Sequence, residues 1–104
     1  MLDTPYIEAV LSEVFAERLS QYEKFREQNH SAPFWLSILG EEFGEVCRAV
    51  CENDGANYRE ELVQLAAVAV QMVEAYDRAK APKGYFQHGR DLGSSLTSDV
   101  AQED

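Results

Sequence analysis

Glu41, Glu42 and Glu45 open the segment EEFGEVCRAVCE, and Glu61 and Gln64 stand in ELVQ a short way on. Side chains of this type can hold a hard divalent cation, move protons, or simply keep a surface wet. Glu61 helps to separate these roles. On a helix, Leu65, Val68 and Met72 fall within about 40° of it, so its carboxylate projects from an apolar stripe. An ionised carboxylate in that setting must be paired, protonated or bound to a cation. No basic residue lies one turn away on that face. A shared cation resolves the conflict if two antiparallel helices bring Glu42 and Glu45 toward Glu61 and Gln64. Oxygen ligands of this kind suit Mg²⁺ or Mn²⁺. Gly44 then permits close helix approach or leaves room for a ligand.

Other chemistry fits less well. Glu41, Glu42 and Glu45 fall at roughly 0°, 100° and 40° on a helical wheel, with Arg48 nearby. Trp35, Leu36, Leu39, Phe43, Val46 and Val50 take the other side, so a solvated acidic face relieved by Arg48 is the plain alternative. A di-iron carboxylate bundle needs Glu-x-x-His pairs, and neither His30 nor His88 follows a glutamate at that spacing. The loop ENDGANYREE has the composition of a calcium loop without its spacing. Cys47 and Cys51 stack one turn apart but lack two further zinc ligands, which predicts small buried side chains.

These residues need helices to position them. Thr4-Pro5 predicts a helix start, and apolar residues recur at helical spacing to about Asn29. Asn29, His30 and Ser31 break that pattern. Pro33 starts a second helix that runs to about Glu52, and Asn53, Asp54, Gly55 and Asn57 form the next turn. A third helix is expected from about Asn57 to Ala81, closed by Pro82 and Gly84. Its stretch LVQLAAVAVQMV is apolar nearly all round, which marks a central helix. No β-type alternation appears. The expected fold is an all-α bundle of three main helices over residues 1–84. Residues 85–104 are expected to form a partly mobile tail or a short helix near 91–100. Three helices leave apolar faces open, so a homodimer that completes the core is expected.

The chain has 104 residues, enough for one domain. Its net charge of −10 argues against a nucleic-acid partner, because phosphate neutralisation needs clustered Lys and Arg. No apolar run is long enough for a membrane span. The opening MLDTPYIEAV lacks a basic segment followed by an apolar core, which predicts no signal peptide and a cytoplasmic location.

The pattern Glu41-Glu42-Phe43-Gly44-Glu45, then Glu61-Leu62-Val63-Gln64 after a short loop, resembles the MazG-like all-α nucleoside triphosphate pyrophosphohydrolases. Their motif is EExxE followed by ExxD, and the likeness spans about residues 15–80. The resemblance implies a helical dimer or dimer of dimers that depends on Mg²⁺, with Mn²⁺ as a substitute. It implies cleavage of an NTP or dNTP between the α and β phosphates, giving the monophosphate and pyrophosphate, as in house-cleaning of non-standard nucleotides. Glu42, Glu45 and Glu61 would be metal ligands. Glu41 would be a further catalytic acid or would orient the attacking water. Gln64 stands where the motif has Asp; it can ligate a metal but brings no charge and cannot act as a base. That departure favours an alternative, a catalytically weakened protein of nucleotide sensing or helical assembly. On the first helix, Gln21, Lys24 and Phe25 lie about one turn apart, and Lys24 is the leading candidate for phosphate contact ahead of Lys83 and Arg90. In similar proteins this helix and an aromatic such as Trp35 line the nucleobase pocket; Phe25 and Trp35 as plain core is the competing reading.

Overall fold

The computed structural model describes residues 1–78. They form three helices: α1 (Thr4–Phe25), α2 (Ala32–Cys51) and α3 (Gly55–Arg78). The fold over these residues is all-α, as expected. The expected end of α3 at Ala81, the tail and its short helix, Lys83 and Arg90 lie outside the described residues.

Each helix begins where local chemistry favours it. Asp3, rather than Thr4, caps α1: its Oδ1 accepts the Tyr6 N–H at 3.2 Å, and Pro5 sits in the first turn. Pro33 occupies the first turn of α2, and the Ser31 carbonyl accepts the Trp35 N–H at 2.9 Å. Asp54 caps α3 by accepting the Asn57 N–H on Oδ1 at 3.1 Å.

The helix ends are set differently. α2 closes locally: Asn53 takes φ 55°, a left-handed value that asparagine tolerates, and the Asp54 N–H bonds to the Ala49 carbonyl at 2.9 Å. α1 ends at Phe25, four residues before its expected end. Arg26 adopts φ 61° and donates its N–H to the Tyr22 carbonyl at 2.7 Å. The following residues are then held by α3. Gln71 Nε2 donates to Gln28 Oε1 at 3.0 Å, and Arg78 donates to the Gln28 carbonyl at 3.0 Å and to Asn29 Oδ1 at 3.1 Å. These long-range bonds outcompete continuation of the helix.

α3 is the central element and packs against both α1 and α2, which do not pack on each other. The apolar core is small. Trp35, Val68 and Ala75 are buried together, with Ile38, Leu39 and Met72 against them. Ala49 and Ala67 have no exposed surface, and such small side chains let helix axes approach closely. Among the described residues no large side chain is fully buried. Leu36, Phe43 and Val50 of α2, expected on its packed side, are exposed. Cys47 and Cys51, expected to be buried, are free and exposed as well. No helix among the described residues is long and apolar enough to cross a membrane.

Candidate functional site

Glu42 sits in the middle of the buried face of α2. Trp35, Val46 and Ala49, all buried, lie within about 40° of it around the helix. Glu61 lies on the facing stripe of α3, between the directions of Val68 and Met72. The two carboxyls stand within hydrogen-bonding reach of each other. Burial raises the Glu42 pKa above its ordinary 4.5, and the charge of Glu61 and the hydrogen bond with it raise it further. Glu45 and Glu41 add weaker repulsion. Glu42 Oε1 is buried with no hydrogen-bond partner.

The other sequence-derived candidates are distributed around this pair. Glu41 is exposed, about 100° round the helix from Glu42. Glu41, Glu42 and Glu45 therefore do not share one solvated side: Glu42 belongs to the apolar face. Glu45 is half-buried and held by Arg48, with N–O distances of 3.3 and 3.2 Å. Gln64 lines a groove of about 420 Å³ between α1 and α3, with Glu13, Glu17, Arg59 and Glu60. A Cβ at Gly44 would meet nothing within 4 Å, so no close helix approach occurs there. Among the described residues no three His, Cys, Asp or Glu side chains stand together closely enough to hold a metal ion.

Gln21 is half-buried and its Oε1 has no hydrogen-bond partner, while Lys24 and Phe25 are exposed. Trp35 is 3% exposed and packs in the core on Val68 and Ala75, with its indole Nε1 unpartnered. The His30 ring meets Trp35 edge-on at 4.9 Å and lies 4.5 Å from Phe34.

Sequence reasoning missed a second polar centre. Arg18 is 9% exposed and binds Glu74 in a bidentate pair, Nε to Oε2 at 2.8 Å and Nη2 to Oε1 at 2.7 Å. Its Nη1 is buried without a partner. Arg78 adds a contact to Glu74 at 3.7 Å and one to Glu27 at 3.4 Å. Gln71 is buried beside this network, joined through Gln28 to the His30 ring. The available signal was Arg18 itself, one turn after Val14 on the buried stripe of α1. It is the cationic counterpart of Glu61 on α3.

The geometry offers one carboxyl pair with an unsatisfied buried oxygen, and one Arg–carboxylate network with its charges matched. No protein-family model, curated protein or solved structure matches the chain.

Proposed function

We propose that the chain is a divalent-metal-dependent nucleoside triphosphate pyrophosphohydrolase. The observation that carries this reading is the Glu42–Glu61 carboxyl pair on the α2–α3 contact, with Glu42 Oε1 buried and unpartnered. A half-buried carboxyl whose proton affinity is raised by burial and by a neighbouring carboxylate suits a cation, which would satisfy the orphan oxygen and remove the repulsion. Glu42 and Glu61 would hold Mg²⁺ or Mn²⁺, and Glu45 joins them on release from Arg48. Such an ion, when bound, neutralises phosphate charge and acidifies a bound water. Glu41, exposed at the rim, has room to orient a water, and Lys24 on α1 is free to meet the triphosphate.

Two placements favour a second reading, a nucleotide-binding protein with weak turnover. Gln64 faces the α1–α3 groove, and Glu45 is tied to Arg48. Fewer acids then converge than a fully active site needs.

The test is pyrophosphate release from a panel of NTPs and dNTPs with Mg²⁺ or Mn²⁺. Under the first reading the wild type releases pyrophosphate, and Glu42→Gln with Glu61→Gln lowers the rate at least about a hundredfold. Metal-dependent nucleotide binding without release supports the second reading. Neither binding nor release removes both.

A further inference from the structure

We infer that residues 26–31, which join α1 to α2, form a proton-sensitive latch on α3, with His30 as its sensor. The latch is under backbone strain. Arg26 ends α1 with φ 61° and ψ −159°. Glycine enters that region freely, whereas a residue with a Cβ stays there only where its surroundings impose it. The surroundings here are side chains of α3. Arg78 donates to the Gln28 carbonyl and to Asn29 Oδ1, and Gln71, only 3% exposed, donates Nε2 to Gln28 Oε1 at 3.0 Å.

The hydrogen bonds of the latch have a fixed direction. Because Gln28 Oε1 accepts from Gln71, Gln28 turns its Nε2 to His30 Nε2, at 3.1 Å. An amide nitrogen only donates, so the imidazole must offer a lone pair there. His30 is therefore neutral in the closed latch, with its proton on Nδ1. An imidazolium donates from both ring nitrogens. A proton on Nε2 sets donor against donor. Reversing the Gln28 amide mends that contact but sets Gln28 Nε2 against Gln71 Nε2. Both bonds then survive only if the buried Gln71 reverses as well.

The charged groups nearby are already engaged. Arg26 of the connection lies over the Tyr22 ring at 5.6 Å. Glu27 of the connection and Glu74 of α3 both meet Arg78, at 3.4 and 3.7 Å, and Glu74 is also held by Arg18 of α1. α2 presents two uncharged rings to His30, Phe34 at 4.5 Å and Trp35 at 4.9 Å. Imidazole changes charge between pH 5 and 8. The closed latch has no place for the added proton, so acid favours the open form. Opening releases the strain at Arg26. It also uncovers Trp35, which is 3% exposed and whose indole Nε1 has no hydrogen-bond partner while the latch is shut.

The test needs neither nucleotide nor metal. In full-length His88→Gln protein, His30 is the one remaining imidazole. Its ¹⁵N spectrum at pH 8 should show a bare Nε2 and a protonated Nδ1; the opposite tautomer overturns the proposal. Amide hydrogen exchange of residues 26–31, corrected for its intrinsic pH dependence, should accelerate at least about tenfold between pH 8 and 5 while the middle of α3 stays protected. Emission of Trp35, the chain's single Trp, should shift to the red over the same range. His30→Gln can donate and accept at any pH, and should abolish both changes. Exchange that ignores pH overturns the proposal, as does a step that persists in His30→Gln. Should that variant fail to fold, the midpoint of the exchange step must coincide with the His30 titration followed by NMR, and a mismatch overturns the proposal.

Discussion

The two faces of α3 treat carboxylates in opposite ways. On the α1 side two acids are each met by a guanidinium: Arg18 takes Glu74 and Arg59 takes Glu13, each through two hydrogen bonds. The Arg59 hydrogen bonds hold Glu13 below the ordinary carboxylate range. On the α2 side Glu42 meets another acid, and its pKa rises. The residue type is the same and the helix is shared. The α1 contact therefore gains from its charges, whereas the α2 contact holds together through Trp35, Val46, Ala49 and Val68 despite them. Among the described residues, Glu42 and Glu61 are an acid pair without a cation beside them, and the proposed divalent ion would sit at that contact.

The largest effect should come from the matched side. Arg18→Ala removes the cation from a mostly buried bidentate pair and leaves Glu74 with only the longer contact to Arg78. A loss of about 2–3 kcal/mol is expected, on the scale of breaking a largely buried ion pair. Urea denaturation at neutral pH measures it. A loss below about 1 kcal/mol would class the pair with exposed surface bridges, and the contrast between the two faces would lose its energetic basis.

What could be read in advance follows from how local each cause is. The starts of α1 and α2 were legible because Pro5 and Pro33 act within a turn of themselves; α3 begins at Gly55, two residues before its expected start, which was set late because Asp54 and Gly55 read as turn residues. Glu61 was legible because one wheel suffices to see an acid on an apolar stripe. Glu42 was left between two readings, facing Glu61 or on a solvated acidic face, because on the wheel it stands at the border of the apolar arc and only the position of α3 decides which arc is buried. Arg18 and Glu74 lie 56 residues apart in the chain, and no single-helix periodicity pairs them. The end of α1 was set too late for the same reason: Gln28 and Asn29 are captured by Gln71 and Arg78, which are equally remote in sequence.

A smaller effect of opposite sign is expected on the α2 side. Because the folded chain raises the Glu42 pKa, folding takes up protons there. That contribution is complete below pH 4.5 and is lost as pH rises through the raised value. Once pH has risen through that value, the ionised Glu42 destabilises the fold. In chelator-containing buffer, Glu42→Gln should raise Tm by a few degrees at pH 7, and the gain should shrink as pH falls toward 4.5. Mn²⁺ sharpens the comparison: it should stabilise the wild type and leave the variant unchanged. A variant less stable than wild type at pH 7 in chelator would mean that the acid pair is held by compensating contacts.

The smallest effect belongs to the exposed bridge. Glu13 and Arg59 make hydrogen bonds of 2.8 and 2.9 Å, as short as those of Arg18, so geometry alone ranks the two pairs together. Their surroundings do not. The side chains of Arg59 and Glu13 are 57% and 49% exposed, against 11% for Arg18. Water and salt can replace an exposed partner, and ordering two long side chains offsets most of what their attraction contributes. Arg59→Ala should therefore leave the urea midpoint unchanged within error. The Glu13 carboxyl, followed by NMR titration, should return upward to the ordinary range, because its depression comes first from the Arg59 hydrogen bonds. Loss of stability comparable to that of Arg18→Ala would show that pairing, and not burial, sets the strength of the α1–α3 contact.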